Sequence, residues 1–450
     1  MKENIAKIIG ILVALSLLVA CAQPTAAPTE AQQPANPAVA TEAPSVVTEA
    51  PAATEAPAAE EKVLKLGLVA PYTGPNSRVG EEFKYIHEMA FGAKNWMIGD
   101  YKVVPVYIDD ESDPEKAVRA FKDAVLKEKI QAATAGYHSS VTVALMDVIA
   151  QYKIPYFFPQ NESSVIVEKY KSDPVKYAYH QWKGRPNPTK LIVGYDLALF
   201  KQAIESGAWK PANQKFAVIC EDTDYGRDFC ASFKKMVEGL GWEAVGEDYV
   251  PLDATDLYPL LTKIKAADPS LLFVSMSAPA VASGIIKQTQ EVGLKSLLIS
   301  HGLGWIGEWY QLTGEAGDYV LDMMQKFRTP EQIAYRDEFK KKFGITPSAS
   351  LSISYDYDNF FIKICERALE VYGELNSETI FKIGNDEVST GKLTYTEGLW
   401  YKELKWEPDT LPEMVVGEGY YLDPVVQYFG GEATIIWPDY LKEADLKVRP

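Results

Sequence analysis

The stretch VLKLGLVAPYTGPNSRVGEEFKYIHEMAFGAKNWM, residues 63–97, contains the unit from which the folded part of this chain is built. Its apolar start, Val63–Ala70, predicts a buried strand, and Val79–Met97 has the spacing of an amphipathic helix. The loop between them is rich in Pro, Gly and Asn, which favour turns. A strand followed by a helix is the unit of a parallel sheet with helices on both faces. The stretch therefore predicts an α/β fold.

The same alternation continues along the chain. Further strands are predicted at Lys102–Asp109, Ile130–Ala135, Ile154–Phe158, Lys215–Cys220, Trp242–Val250, Ser270–Met276 and Ser296–Ser300. Further helices are predicted at Pro114–Glu128, Ser140–Tyr152, 189–207, Gly226–Leu240, Asp256–Ala267, Ala280–Val292, 330–343 and 350–372. Asp113 is expected to cap the helix that begins with Pro114, because Asp is favoured at the cap and Pro at the first helical position.

A break rich in turn-forming residues, 177–188, divides the pattern into two sets. We therefore predict two doubly wound parallel-sheet lobes, one from residues 62–184 and 328–392 and the other from 185–327 and 393–450. Because the late helices complete the first lobe in this scheme, the chain crosses several times and forms a multi-crossover hinge. The aromatic-rich segment 397–450 is expected to wrap a lobe or the hinge and is given no function.

The first residues predict export. Ile8–Ala20 is an unbroken run of apolar or small residues. As a helix it would span roughly 20 Å, short of the ~30 Å core of a bilayer. We therefore expect residues 1–20 to be a secretory signal peptide. The run ends in LVAC, residues 18–21, which resembles the lipobox of bacterial lipoproteins and implies lipidation of Cys21. The alternative is an ordinary signal peptide with an incidental cysteine.

Residues 22–61 have the composition of a spacer. They consist almost wholly of Ala, Pro, Thr, Glu, Gln and Val, with TEAP at 41–44, 48–51 and 54–57. Such a segment has too little apolar mass to offset the entropy of ordering its backbone. Its prolines favour an extended, semi-rigid chain. We expect it to be a disordered linker that holds the folded body away from a membrane.

Composition excludes several classes of function. The net charge of −17 argues against nucleic-acid binding, because phosphate contacts need clustered Lys and Arg. Motifs of zinc proteases, serine hydrolases and phosphate-binding loops are absent from the sequence, so we expect no enzyme. The spacing of Cys and His indicates no metal site, and no cofactor is expected. Cys220 and Cys230 form either a disulfide or two buried thiols.

Six segments resemble the leucine/isoleucine/valine-binding protein family in that family's order. They are Val63–Gly80, Val106–Ala120, Ala135–Thr142, EDTDYGRDF at 221–229, DATDLYPLLTKIKAADP at 253–269 and IKQTQEVGL at 286–294. The resemblance covers roughly residues 63 to 372 and implies the type I periplasmic-binding fold. Family crossovers fall at positions matching about 181–188, 322–328 and 391–397, which agrees with the break described above.

The resemblance also implies a function. It implies an extracytoplasmic substrate-binding lipoprotein of an ABC importer, anchored to the outer face of the cell membrane. Such a protein, expected to be a monomer, captures a small polar ligand such as an amino acid, a carboxylate or an amide, and docks on permease subunits. The alternative is a sensor of the same fold that reports its ligand to a signalling partner.

Candidate ligand contacts in the first lobe follow its strands, because ligands bind beyond the carboxyl ends of strands in such sheets. The resemblance implies that Ser139 and Ser140 grip a ligand carboxylate, with helix capping as the alternative. Arg78 is able to pair with a carboxylate or to remain solvated. Glu162 replaces the family's usual hydroxyl residues and either holds an ammonium group or supports a helix N-terminus. The other candidates are Tyr72, Tyr137, His138, Gln160 and Asn161.

The second lobe offers Tyr225, His301 and Trp305. Tyr225 follows the end of a predicted strand, where its ring is able to lie against a ligand. Amino-acid-binding members place an acidic residue in the loop matching 301–305, and none is present here. Because a buried ammonium group needs an anionic partner, either Glu162 supplies it or the ligand is not an α-amino acid. His301 and Trp305 suit a ring-bearing or amide-bearing ligand, and ordinary packing is the alternative for Trp305.

Overall fold

The computed structural model describes residues 61–450, except for the side chains of residues 192–196. The predicted signal peptide, Cys21 and nearly all of the predicted linker therefore lie outside the described residues. Within residues 61–450 no helix is both long enough and apolar enough to cross a bilayer.

Among the described residues, the first sheet has five strands. They are β1 Val63–Ala70, β2 Met97–Ile98, β3 Tyr101–Asp109, β4 Ala132–Ala135 and β5 Tyr156–Phe157. The order is β2-β3-β1-β4-β5, with β2 antiparallel to β3 and the other pairings parallel. The central strand β1 is buried along most of its length, as expected for a strand covered by helices on both faces.

The second sheet has seven strands within residues 61–450. They are β6 Lys215–Glu221, β7 Glu243–Val250, β8 Leu271–Ser275, β9 Leu297–His301, β10 Leu321–Met323, β11 Val425–Phe429 and β12 Glu432–Trp437. The order is β12-β11-β10-β9-β8-β6-β7, in which β11 is antiparallel to both of its neighbours. The hairpin of β11 and β12 therefore extends a parallel sheet at one edge, and it is formed by the aromatic-rich end of the chain.

The helices pack on these sheets. They are α1 Ser77–Ala90, α2 Pro114–Asp123, α3 Ser139–Tyr152, α4 Ser164–Ser172, α5 Pro188–Glu205, α6 Asp224–Glu238, α7 Tyr258–Ala267, α8 Pro279–Glu291, α9 Trp309–Thr313, α10 Pro330–Phe343, α11 Ile353–Tyr372 and α12 Ser377–Ile383. Asp113 caps α2 as predicted, accepting from the N–H groups of Glu115 and Lys116. The prediction of two α/β lobes is confirmed.

The late helices return to the first lobe. His87 of α1 lies 2.7 Å from Asp358 of α11, and Tyr85 of α1 stacks on Phe343 of α10 with ring centres 4.3 Å apart. The chain therefore passes between the lobes after β5, after β10 and again before β11. These passages form the predicted hinge of several crossovers.

One predicted helix is too long. It was expected to run from Val79 to Met97, but α1 ends at Ala90 and Met97 begins β2. Asn95 and Trp96 adopt left-handed backbone conformations, with φ of 53° and 55°, which end the helical path. Apolar spacing persists through this turn because Phe91 stacks on Trp96, with ring centres 5.2 Å apart. Burial periodicity alone therefore does not distinguish the turn from the helix.

A disulfide joins Cys220 of β6 to Cys230 of α6. It resolves the two alternatives for these cysteines and ties the middle of α6 to the strand that precedes the helix. The cap of α6 is Thr223, whose hydroxyl accepts from the N–H of Gly226.

Candidate functional site

Loops at the carboxyl ends of the strands of the two sheets face each other and touch. Tyr137 follows β4, and its hydroxyl donates a hydrogen bond to the backbone oxygen of Ser277, which follows β8, at 2.8 Å. Ser140 Oγ, in the first turn of α3, accepts from the backbone N–H of Asp224, the first residue of α6, at 3.1 Å. The lobes are thus in contact, and the cleft is in a closed arrangement.

A buried ionic contact also joins the lobes. Glu162 follows β5, and its Oε2 lies 3.1 Å from Nε2 of His301, the last residue of β9. Burial alone would raise the pKa of Glu162, but His301 and Arg185 outweigh burial and lower it. Burial alone would lower the pKa of His301, but Glu162 and Asp322 outweigh it and raise the pKa to about 10. Both side chains are therefore charged at neutral pH.

Arg185 completes this cluster of charges from the segment that leads into the second lobe. Its Nη1 donates to Glu162 Oε1 at 3.0 Å and its Nε donates to Gln160 Oε1 at 3.0 Å. Its Nη2 donates to the backbone oxygen of Ser350 at 2.8 Å. The guanidinium carbon lies 5.8 Å from the centre of the Trp305 ring, a cation–π distance. Arg185 thus links both lobes and the hinge.

The C-terminal segment supplies a further part of this cluster. Asp423 Oδ2 lies 3.6 Å from Arg185 Nη1 and accepts from the Tyr421 hydroxyl at 2.9 Å. Gln325 Nε2 donates to Asp423 Oδ1 at 2.9 Å. The Tyr421 ring stacks on Tyr401, with centres 4.9 Å apart. The segment after residue 392 therefore lies against the hinge, and its Asp423 places a carboxylate beside the Arg185 guanidinium.

Aromatic rings from both lobes meet beside these charges. The ring centre of Trp305 lies 5.4 Å from that of Tyr137, 5.7 Å from that of Tyr225 and 5.2 Å from that of His301. The Tyr225 hydroxyl accepts a hydrogen bond from Ser275 at 2.9 Å. We call Tyr137, Tyr225 and Trp305 the aromatic cluster.

A second buried carboxylate belongs to the second lobe. Glu221 ends β6, and its Oε1 accepts from the Thr223 hydroxyl at 2.6 Å. Its Oε2 accepts from the backbone N–H of Ser277, the residue whose carbonyl accepts from Tyr137. Burial raises the pKa of Glu221.

Residues 63–382, well over half of the chain, match the periplasmic binding protein family. This chain belongs to that family. The resemblance on which the sequence prediction rested is therefore confirmed, and the cleft just described lies between the two lobes of a periplasmic binding protein.

Individual proteins with similar sequences or folds are consistent with this family. The chain is 25% identical over 321 residues to Leu/Ile/Val-binding protein homolog 6 of Brucella suis, covering 68% of this chain and 76% of that protein. A leucine binding protein from Thermotoga maritima superposes with a TM-score of 0.64 at 17% identity, over 83% of this chain and 97% of that one. A solute binding protein of an ABC transporter from Rhodopseudomonas palustris, in complex with 3,4-dihydroxybenzoic acid, has a TM-score of 0.64 at 20% identity, over 82% and 95%.

The side chains of the remaining first-lobe candidates near the cleft contact other protein groups through polar atoms. Ser139 Oγ accepts from the N–H of Ser163 at 3.2 Å, so neither Ser139 nor Ser140 caps its own helix through the side chain. The Thr142 hydroxyl donates to Asn161 Oδ1 at 2.6 Å. His138 Nε2 lies 3.0 Å from Asn76 Nδ2, and burial lowers the pKa of His138 to about 3, so the ring is neutral.

Arg78 and Tyr72 lie away from the buried cluster. Arg78 Nη2 pairs with Glu308 at 2.7 Å across the mouth of the cleft, beside an apolar cavity of about 440 Å³. Arg78 also pairs with the buried Glu82 at 3.1 Å. The Tyr72 hydroxyl donates to the backbone oxygen of Leu68, and its ring packs edge-on against Tyr107 beside a second cavity of about 680 Å³, which Arg78 also lines. Arg78 thus joins the lobes at the mouth, and Tyr72 lines the other cavity.

Sequence reasoning missed Arg185, Glu221, Asp423 and Ser277. Arg185 lies in a segment whose Pro and Gly indicated a turn, and a turn pattern gives no sign of a buried charge. Trp182, three residues before Arg185, is fully buried. A tryptophan inside a turn-rich stretch was therefore the one sign in the sequence that this segment is buried. Glu221 is the first residue of the EDTDYGRDF segment at 221–229, and it ends a buried strand, where a carboxylate is read as part of the strand rather than of the loop.

Proposed function

We propose that this protein is the extracytoplasmic solute-binding component of an ABC importer and that it encloses a small polar ligand between its lobes. One observation carries the proposal most directly. Charged and aromatic side chains from both lobes converge where loops of the two sheets meet, at Glu162, His301, Arg185 and Trp305. Ligands of doubly wound sheets bind at this edge.

The proposed mechanism is a shift between open and closed states. A ligand that contacts both lobes binds the closed state more tightly, and it shifts the equilibrium by that difference in affinity. The three chain passages between the lobes absorb the motion as a hinge. The closed form then docks on the permease, and the ligand is released without chemical change.

The lobes in this proposal comprise residues 62–184 with 328–392 and residues 185–327 with 393–450. Residues 1–20 act as the signal peptide, and Cys21 carries the lipid that anchors the protein. Of the ligand-contact candidates, Tyr137, Tyr225, Trp305, His301 and Glu162 lie where the lobes meet, and Arg185 joins them. Each of the other candidates bonds a protein group through its side chain in the closed arrangement, so we propose that they contact the ligand before the lobes close fully. These candidates are Ser139, Ser140, His138, Gln160 and Asn161.

The ligand is proposed to be an amino acid, a carboxylate or an amide. Two relatives support this range, because one is named for Leu, Ile and Val and another was solved with 3,4-dihydroxybenzoic acid. Isothermal titration of the purified chain against these three classes tests the proposal, with small-angle scattering to follow compaction. Binding with a decrease in radius of gyration is expected. No heat with any class, together with an unchanged radius, contradicts it.

The anchor is tested separately. Cys21→Ser is expected to move the protein from the membrane fraction to the soluble extracytoplasmic fraction, because acyl chains supply ~0.8 kcal/mol per buried CH₂. Ligand affinity of the variant should equal that of the parent. Unchanged membrane association contradicts lipidation at this residue and leaves the binding proposal intact.

A further inference from the structure

Two buried hydrogen-bonding groups in and beside the aromatic cluster remain unpaired by any described residue, and both are able to donate. The indole N–H of Trp305 and the hydroxyl of Ser277 are buried, at 5% and 4% exposed, and neither has a hydrogen-bond partner among the described residues. Leaving a buried polar group unpaired costs about 1–3 kcal/mol. Because these two groups lie between the lobes, where ligands of such sheets bind, they are placed to donate to a bound molecule.

Both donors belong to residues that contact Tyr137. The Tyr137 hydroxyl donates to the backbone oxygen of Ser277, and the Tyr137 ring contacts Trp305 edge-on with centres 5.4 Å apart. Tyr225 lies 5.7 Å from the same indole. The donors thus lie among three rings that belong to both lobes. Such rings favour a flat, unsaturated guest, because an aromatic pair in offset or edge-on contact gains about 0.5–1.5 kcal/mol beyond the burial of its area.

The acceptors that an ammonium group would need are already engaged. Both oxygens of Glu162 are held, one by Arg185 at 3.0 Å and the other by His301 at 3.1 Å. Both oxygens of Glu221 are held as well, by Thr223 and by the backbone N–H of Ser277. A buried ammonium group requires an anionic partner, so it would have to break one of these contacts.

Two cations lie beside the Trp305 ring, and the acids that face them, Glu162, Asp322 and Asp423, are already paired with them. The Arg185 guanidinium lies 5.8 Å from the Trp305 ring, and the His301 ring lies 5.2 Å from it. Both cations repel an ammonium group and attract a carboxylate. Geometry and charge therefore agree on the same chemical class of ligand.

We infer that the ligand is a flat, unsaturated carboxylate or carbonyl compound without an α-ammonium group. It lies within the aromatic cluster, and its oxygens accept from Trp305 Nε1 and Ser277 Oγ. This inference rests on the proposed function, because it names the class of ligand that the same cleft takes. It resolves the choice left open by the sequence, since Glu162 serves Arg185 and His301 rather than an amine.

Paired probes that differ only at the α-carbon test the inference. Phenylpyruvate and L-phenylalanine share a ring and a carboxylate, and 4-methyl-2-oxopentanoate and L-leucine share an aliphatic chain; 4-hydroxybenzoate adds an aromatic acid. Isothermal titration of the purified full chain is expected to show the oxo acid of at least one pair, or 4-hydroxybenzoate, binding about tenfold or more tightly than either amino acid, because the ammonium group leaves a buried charge unpaired.

A matched pair of tryptophan variants locates the site. Trp305→Phe keeps an aromatic ring at this position but removes the indole N–H, and it is expected to weaken binding of the preferred acid by about tenfold. Trp400→Phe is the control: its indole N–H is likewise buried and unpaired within the described part of the chain, but its ring packs on Phe327 and Tyr335. The control should bind as the parent does. Circular dichroism and thermal unfolding confirm that both variants fold.

The outcomes separate the inference from the proposed function. An amino acid that binds more tightly than every acid probe overturns the inference and leaves a solute-binding protein in place. Equal affinity of Trp305→Phe and the parent for the preferred acid also overturns it. If all five probes are silent and native mass spectrometry finds no co-purified small molecule, the inference and the proposed function fail together.

Discussion

Two of the ionic contacts between the lobes, one deep in the cleft and one at its mouth, differ more in burial than in distance. Glu162 and His301 lie 3.1 Å apart and each is 1% exposed. Arg78 and Glu308 lie closer, at 2.7 Å, but are 27% and 21% exposed. We expect the shorter contact to be the weaker one, because water screens the pair at the mouth and does not reach the pair in the cleft.

Burial makes the deep contact depend on its neighbours. Removing charge from water costs several kcal/mol per ion, and this cost is offset only when partners are well placed. Here Glu162 has two cationic partners, Arg185 and His301, and each of these has a second acid nearby, Asp423 and Asp322. The cluster is therefore stable as a set, and the loss of one member affects all the others.

The largest effect is expected when Glu162 is neutralised. Glu162→Gln leaves Arg185 and His301 buried without their shared partner, and it should lower the free energy of unfolding by about 3–5 kcal/mol. Urea unfolding followed by fluorescence measures this. Glu308→Gln at the mouth is the matched control with the same chemical change. A loss below about 1 kcal/mol for Glu162→Gln would mean that the deep contact is no stronger than a surface pair.

A smaller effect is expected at the C-terminal segment. Asp423→Asn keeps the shape of the side chain but removes the charge facing Arg185, and it should cost about 1–3 kcal/mol. Asp439→Asn in the same segment is the control, because Asp439 is exposed and accepts only from Gln202 among the described contacts. Unfolding in urea compares the two. Equal stability of the two variants would separate the C-terminal segment from the charge cluster.

Local sequence pattern predicted the lobes well, because the apolar periodicity of a buried strand or helix is visible within a few residues. β1 and α10 were predicted with their observed ends. The charge cluster could not be predicted in this way, because Arg185 and Asp423 are far apart in sequence and meet only after the chain has crossed the hinge again. Glu162 was identified as unusual, but its partners, and hence its role, depend on the tertiary fold.

The deep contact should also respond to pH. The pKa of His301 is about 10 in the folded protein, above the ordinary value, so its contribution to stability is complete below about pH 6.5. That contribution is lost as pH rises towards 10, with a slope of at most about 1.4 kcal/mol per pH unit. His301→Asn should flatten this part of the stability profile between pH 7 and 9. Parallel profiles for the parent and the variant would contradict the assignment of a buried, charged His301.

The smallest effect is expected at the mouth. Glu308→Gln keeps an oxygen that accepts from the N–H of Thr346, now 3.0 Å from Glu308 Oε1, and removes only the charge that faces Arg78. The expected loss is about 0.2–1 kcal/mol. Arg78 itself is a poorer site for this test, because it also pairs with the fully buried Glu82, and its removal would leave that acid without a cation.

The salt dependence of the stability loss distinguishes the contact at the mouth from the contact in the cleft more clearly than the size of the loss does. At 1 M salt the screening length falls to about 3 Å, so the difference between Glu308→Gln and the parent should disappear, whereas that of Glu162→Gln should persist. Urea unfolding at low and high salt measures both. If the stability difference between Glu308→Gln and the parent persisted at 1 M salt, water would be excluded from the mouth of the closed cleft as well. The two contacts would then differ only in how strongly water is excluded.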